Sequence, residues 1–245
     1  MRYGGLSHEQ ARFFRNQGYF RLPGVLSNTE TQTFRSFVLQ ETAREAGDIP
    51  ASDNPTHKLY GLYDRNQPLM DQVVRKKKLV DALVSLLGPN IVLVTNRHNH
   101  ATVNNHAGKP AEGLHRDILQ PTRGLITAAV YLQDSGVDNG ATRLVPGSHE
   151  LPYVGVPQQN GGGTWMADHE EYTGLEDQAL PIPMSAGDVL LFNGLAFHGV
   201  GTNTTGQERI SMTLGFRSVD ELGADPDKTR EVLIAGEYIY RGNDV

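Results

Sequence analysis

From Ile91 onward the chain is built of short runs of β-branched, aliphatic and aromatic residues, and this change of texture constrains the fold more than any other feature. Ile91-Val92-Leu93-Val94, Leu125 to Leu132, Val189 to Phe192 and Ile210 to Phe216 are four to eight residues long and are punctuated by Gly, Asn and Pro. Such side chains pack well on a pleated surface, and the intervening residues break it, so the pattern predicts an all-β core with many turns. The preceding residues read differently. Ser7-His8-Glu9-Gln10 and Ser27-Asn28-Thr29-Glu30 have the form in which a serine accepts from an orphan helix amide while the residue three further on reaches back, so each opens a helix. Phe34, Phe37, Val38 and then Val73, Val80, Leu83, Val84, Leu87 recur at helical spacing, as expected for helices packed on one side of a sheet. Gly88-Pro89 stops the second set.

A chain of 245 residues is long enough for one good-sized core, and no repeat or compositional linker divides it. A single domain over 1–245 is expected, mostly helical over 1–90 and β over 91–217. Leu151 to Ala179 interrupts the β pattern with Gly161-Gly162-Gly163, many polar residues and the only tryptophan, Trp165. A long irregular segment inside a compact domain is commonly functional, so 151–179 is expected to be an active-site loop, with Trp165 on the wall of a substrate pocket. The tail from Asp220 to Val245 carries no assignment.

The formal charge of −6, from 28 acidic and 22 basic residues, provides no general basic surface for nucleic acid and points to a small-molecule substrate. With no cysteine, disulfides and thiolate metal sites are excluded. No apolar run approaches the ~18 residues of a membrane span, so a soluble, cytoplasmic protein without membrane partners is expected; nothing indicates its oligomeric state.

The chemistry concentrates in His115-Arg116-Asp117. In an extended segment the side chains at i and i+2 share a face, so His115 and Asp117 present an imidazole and a carboxylate to one ion while Arg116 points away. A second histidine from a distant strand completes two His and one carboxylate on one face of an octahedron, the arrangement that suits non-haem Fe(II) oxygenases, and His198 is the candidate. Upstream, Arg97 to Thr102 read as a strand places His98, His100 and Thr102 on one face, either lining a pocket or facing solvent.

Taken together, the HxD pair, Asn139-Gly140-Ala141-Thr142-Arg143-Leu144-Val145-Pro146-Gly147-Ser148-His149, the strand Gly187-Asp188-Val189-Leu190-Leu191-Phe192, His198 and Arg209 eleven residues beyond it resemble the phytanoyl-CoA dioxygenase-like (PhyH) family of Fe(II)/2-oxoglutarate-dependent oxygenases. Gly18 to Ser27 and Leu86-Leu87-Gly88-Pro89 are similar to that family's N-terminal helices.

The resemblance implies a double-stranded β-helix, a cupin-like jelly roll flanked by helices. It implies Fe(II) held by His115, Asp117 and His198, with 2-oxoglutarate and O2 as cosubstrates and succinate and CO2 as products. Arg209 would grip the far carboxylate of 2-oxoglutarate through its planar fork, with Ser211 adding a hydroxyl on the same strand face; a structural ion pair is the other reading of that arginine. Thr102 and Thr142 would touch the cosubstrate, Thr142 equally serving the barrel wall, and His98 and His100 would face the substrate. His149 reads as part of a turn. Asp117 favours hydroxylation over halogenation, since related halogenases carry a small residue in its place; desaturation, cyclisation and epoxidation share the same site. A cupin-type metal enzyme without 2-oxoglutarate, or a binding protein on the same scaffold, are the alternatives of another class, and Arg209 and the complete triad weigh against them.

Overall fold

The computed structural model of the protein describes residues 4–46, 56–104, 113–119, 124–152, 165–221 and 230–238. Both serine caps form. Ser7 Oγ accepts from Gln10 N and Gln10 Oε1 from Ser7 N, opening α1 (His8–Gln17). Ser27 and Glu30 repeat the exchange ahead of α2 (Asn28–Ala46). The second apolar set is divided between α4 (Gln67–Val74), which follows a single turn α3 (Leu62–Arg65), and α5 (Lys77–Leu87), closed by Gly88 at φ 91°. Asn66 starts α4 by accepting from Leu69 N.

Among the described residues, ten strands follow the order β1 (Tyr19–Leu22), β2 (Thr56–Tyr60), β3 (Ile91–Asn104), β4 (Ile126–Tyr131), β5 (Thr142–Leu144), β6 (Leu180–Ile182), β7 (Val189–Asn193), β8 (His198–Val200), β9 (Arg209–Ser218) and β10 (Glu231–Ala235). All pairings are antiparallel. The larger sheet runs β1-β7-β4-β9-β3-β10, with β2 on the far half of β3, and the smaller runs β6-β5-β8. This is the jelly-roll core expected. The sequence reading differs at three places. Gly18 to Ser27, expected to be helical, forms β1 and a turn, because Gly18 at φ 79° ends α1 and Tyr19 to Leu22 then pair with Phe192 to Val189. The helical region also supplies β2, and the unassigned tail supplies β10. The strand begun at Ile91 continues to Asn104.

The strands are two-faced. Along β9, Ile210, Met212, Leu214 and Phe216 lie in the core shared with Phe34, Val38, Leu79 and Leu83 of the helices, while Arg209, Ser211 and Thr213 line an internal cavity. In β4, Ile126, Ala128 and Val130 likewise join the helical side, and Ala129 and Tyr131 pack between the sheets with Leu144, Ile182, Leu190 and Phe192. The period-2 alternation thus separates a helix-covered apolar face from an inner face free to carry polar groups. Among the described residues no helix is long and apolar enough to cross a membrane.

The turn before β7 locks the sheet to the N-terminal loop. Gly187 O accepts from Val25 N and Leu26 N, and Asp188 Oδ1 accepts from Gly24 N at 2.7 Å. Gly187 has φ 87°, and a Cβ there would lie 2.5 Å from Leu26 O. Gly187→Ala should therefore destabilise the protein by about 1–3 kcal/mol, from backbone strain and displacement of this loop. Denaturant unfolding checks this; a native midpoint would show that the turn is not under that constraint.

Candidate active site

Main-chain pairing brings the HxD segment to β8. His115 N donates to His198 O and His198 N to His115 O, both at 2.9 Å, and Asp117 N donates to Gly194 O at 2.8 Å. The two imidazoles stand side by side with ring centroids 4.5 Å apart. His198 Nδ1 lies 3.0 Å from Ala196 O and His115 Nδ1 lies 3.5 Å from Gly113 O, contacts that favour a proton on Nδ1 and leave Nε2 as the ligating atom. One ligand atom each from His115, Asp117 and His198 lie within 4.8 Å of one another. The donor set of two imidazoles and a carboxylate fits a divalent iron and leaves half an octahedron open.

Arg116 points the other way, as alternation requires. Its guanidinium stacks 4.3 Å from the Phe197 ring centroid and 5.2 Å from that of Tyr172, and donates to Ser148 O at 3.0 Å and to Tyr172 Oη at 3.3 Å. Phe197 N in turn donates to Ser148 Oγ at 2.8 Å. Asn139 to His149 therefore works as turn chemistry behind the site: Asn139 Oδ1 caps Gly136 N, and His149 Nε2 meets Arg15 O at 2.8 Å.

Asp117 is almost wholly buried, which raises its pKa, but His198, His98, His115 and the Thr127 hydroxyl together outweigh burial and hold it below the ordinary carboxylate value. Thr127 Oγ1 donates to Asp117 Oδ2 at 2.9 Å. A cavity of about 190 Å³ opens beside the three residues. A single buried water needs only ~10–15 Å³ on this measure, so the space is that of a ligand.

The cavity brings most of the sequence candidates together: His98, His100, Thr102, His115, Asp117, Thr142, His198, Arg209 and Ser211 all line it. Arg209 is buried, with Nη2 3.2 Å from Thr142 Oγ1 and Nε 3.4 Å from Ser135 Oγ, and its guanidinium carbon lies 5.6 Å from the Tyr131 ring centroid. Among the described residues no carboxylate pairs with it. Tyr131 Oη and Thr142 Oγ1 share a 2.6 Å hydrogen bond, so Thr142 serves wall and arginine at once.

Trp165 is the exception. Its backbone bridges that of His115, and its ring lies 4.8 Å from the His115 ring, so it stands beside that histidine and is not among the described residues that line the cavity. Of the expected loop over 151–179, residues 153–164, with the triple glycine, lie outside the described residues. From Met166 to Gln178 the loop forms short 3₁₀ turns, and Met166 and Tyr172 pack with Leu114, Val145 and Phe197.

Sequence reasoning missed Lys58, Asn104, Phe192, Thr213 and Thr127. Thr127 left a signal, a hydroxyl inside the otherwise apolar run Ile126 to Tyr131; Lys58 left little, because β2 is a short strand next to a segment without pattern.

The fold and the site define an enzyme of the Fe(II)/2-oxoglutarate oxygenase class. Residues 14–211 match the phytanoyl-CoA dioxygenase (PhyH) family, and the chain belongs to that family. Methylphosphonate hydroxylase of Gimesia maris is 25% identical over 227 residues, covering 88% of this chain and 82% of that protein. Dioxygenase ALT11 of Alternaria alternata is 36% identical over 125 residues, covering 47% of this chain and only 36% of its own length. Among solved structures, the epimerase SnoN in complex with Fe3+, alpha ketoglutarate and nogalamycin RO superposes with a TM-score of 0.68 at 21% identity, over 94% of this chain and 96% of that one. HygX from Streptomyces hygroscopicus, with nickel and 2-oxoglutarate bound, gives 0.66 at 20% identity, over 87% and 88%.

His100 provides a test of the electrostatics. Burial, Lys58 and His98 lower its pKa from 6.5 to about 4, against a smaller opposing pull from Asp117. It is thus neutral at neutral pH. Because the unfolded chain takes up this proton first, His100 should contribute a loss of stability of the metal-free protein as pH falls from about 6.5 toward about 4. His100→Gln should lack that contribution. The check is denaturant unfolding across this window, together with the imidazole NMR titration; an NMR midpoint near 6.5 would show the ring to be solvated.

Proposed function

We propose that the protein is a single-domain Fe(II)- and 2-oxoglutarate-dependent dioxygenase that hydroxylates a small polar metabolite or natural-product intermediate. The observation that carries this reading is Arg209, a buried guanidinium with no acidic partner among the described residues, in the same cavity as His115, Asp117 and His198. A buried cation is costly unless paired. A dicarboxylate that reaches from the metal to Arg209 supplies the missing charge, and the guanidinium fork suits a carboxylate held by two parallel hydrogen bonds.

In this reading His115 and His198 would hold iron through Nε2 and Asp117 through one carboxylate oxygen. Iron, with 2-oxoglutarate and O2 as cosubstrates, would supply the oxidising chemistry, with succinate and CO2 as coproducts. The chain's own residues seat the reactants. Arg209 holds the distal carboxylate, with Thr142 and Ser211 beside it and Thr102 on the neighbouring strand β3, paired with Ser211. His100 and His98 line the substrate side. Phe192, its ring centroid 4.4 Å from that of His198, limits the freedom of that imidazole.

Three points support a compact polar substrate. The cavity lining is rich in hydroxyl and imidazole groups, with the Asn104 amide and the Lys58 ammonium beside them. One relative, matched over 82% of its length, is named methylphosphonate hydroxylase. HygX has been solved with hygromycin B bound. Asp117 supports hydroxylation over halogenation, since its carboxylate occupies the position a halide would need.

Two measurements test the reading. His198→Ala should abolish stoichiometric Fe(II) binding, because two remaining ligands make a weak site; retention of one equivalent would refute the metal assignment. Arg209→Lys should raise the half-saturating 2-oxoglutarate concentration by on the order of tenfold or more, since an ammonium keeps the charge and loses the fork. Iron affinity should change little. An unchanged 2-oxoglutarate requirement would place the carboxylate anchor elsewhere. Substrate is identified by mass spectrometry, as a metabolite that gains one oxygen in step with succinate release.

A further inference from the structure

Strand β3 departs from its regular path immediately before the site. Val94 pairs with Gly215 of β9, and the next paired residue, Asn99, faces Leu214, so residues 95–98 form a bulge without partners in the β9 register. The bulge is pinned. Asn99 Nδ2 donates to Thr95 O at 3.0 Å, Asn99 Oδ1 accepts from Tyr63 N at 2.9 Å, and Asn99 O accepts from Gly61 N at 2.8 Å. Its last residue, His98, has φ 52°, the only positive φ at a non-glycine among the described residues. This left-handed conformation costs a β-carbon-bearing residue of order ~1 kcal/mol or more. Room for the ring exists because Gly215 faces it: a Cβ at Gly215 would lie 2.8 Å from His98 Cβ.

The bulge brings His98 to Asp117. His98 Nδ1 is 3.2 Å from Thr127 Oγ1, Thr127 Oγ1 donates to Asp117 Oδ2 at 2.9 Å, and His98 Nε2 is 3.4 Å from Asp117 Oδ1. A threonine hydroxyl has one proton. With that proton committed to Asp117 Oδ2, the His98–Thr127 contact has His98 Nδ1–H as its donor. The three side chains form a directed chain, His98 Nδ1 to Thr127 Oγ1 to Asp117 Oδ2, while Asp117 Oδ1 lies within 3.4 Å of His98 Nε2 and 3.7 Å of His198 Nε2.

We propose that His98, delivered by this bulge, and Thr127 are positioning residues that hold Asp117 as a one-oxygen ligand. This inference rests on the reading of His115, Asp117 and His198 as the metal site. With Oδ2 engaged by Thr127, Oδ1, 3.7 Å from His198 Nε2, is the oxygen that would be left for an ion held by this triad. A carboxylate free to rotate could bind through both oxygens and occupy a position that a chelating cosubstrate or O2 requires. Strain at a functional site persists only when surrounding contacts over-determine it, and the Asn99 bonds and the Gly215 gap do that for His98.

The test is Co(II) titration of the full-length protein, followed by the intensity of the visible Co(II) bands, which reports coordination number, with unfolding of the metal-free protein run in parallel. Thr127→Val removes the hydroxyl at nearly constant shape, and His98→Asn keeps a residue tolerant of positive φ. Each should lower Co(II) affinity by about 10–100-fold, as loss of such supporting hydrogen bonds does elsewhere, and should change band intensity while the metal-free protein remains folded. Thr127→Ser should restore affinity and spectrum. The double variant should lose no more than the weaker single one, because both act through one chain. Native affinity and spectrum in both single variants, with Co(II) lost in His198→Ala, would overturn the positioning role and leave the metal site standing. Co(II) retained by His198→Ala would remove the metal reading and this inference with it.

Discussion

The site depends on a pair of main-chain hydrogen bonds. His115 and His198 exchange N–H and carbonyl at 2.9 Å in both directions, and this isolated bridge is what ties the HxD segment to the small sheet. Each such bond contributes only about 0.5–1.5 kcal/mol net, so its importance is geometric. A backbone pair fixes two Cβ vectors together, whereas two histidines on independently placed loops would each have to be ordered by side-chain contacts. Asp117 N on Gly194 O continues the registration for two more residues, and β8 is itself held by β5 through Leu144↔His198. The side chains of His115, Asp117 and His198 thus inherit their relative positions from the ladder.

Around this bridge, the larger sheet separates stability from chemistry. Its helix-covered face carries the main apolar core, which leaves the opposite face of β3, β4 and β9 able to accept His100, Thr102, Thr127, Arg209 and Ser211. The two buried arginines show the distinction. Arg116 faces away from the cavity, where its terminal nitrogens donate to the Ser148 carbonyl and the Tyr172 hydroxyl and its plane stacks on two aromatic rings, with Nε left without a partner. Arg209 faces in and, among the described residues, meets neutral hydroxyls and the Tyr131 ring. The first is walled in by protein; the second opens on a cavity that an anion can enter.

Much of this was legible in the chain because it depends on alternation. A period of two places His115 with Asp117, Arg209 with Ser211 and His100 with Thr102, and each pair does share the cavity. Helix caps at Ser7 and Ser27 were legible because they are local. What escaped depends on pairing between distant segments. Tyr19–Leu22 became a strand because β7 offers an edge, and nothing within Gly18 to Ser27 states that edge. His98 was assigned to the substrate face by simple alternation; it lines the cavity, but residues 95–98 break the register and turn its ring against Asp117 as well. Trp165, expected on the pocket wall, is held beside His115 by a backbone bridge that a glycine-rich context did not reveal.

Charge shows the difference between whole-chain and local reasoning most clearly. The chain carries −6 overall, yet the cavity wall includes Lys58 and Arg209 with four histidines, and among the described residues Asp117 is the only acid that lines it. Net charge governs encounter with extended polyanions, and in that respect the composition argues against nucleic acid. Recognition of a small dianion is decided within a few ångströms, in a space where water is scarce and each fixed charge is poorly screened. Asp117 is committed to the three imidazoles and Thr127, so it does not neutralise Arg209. An acidic protein can therefore hold a cavity whose unpaired charge is positive, and a dicarboxylate spanning the triad and Arg209 complements that charge.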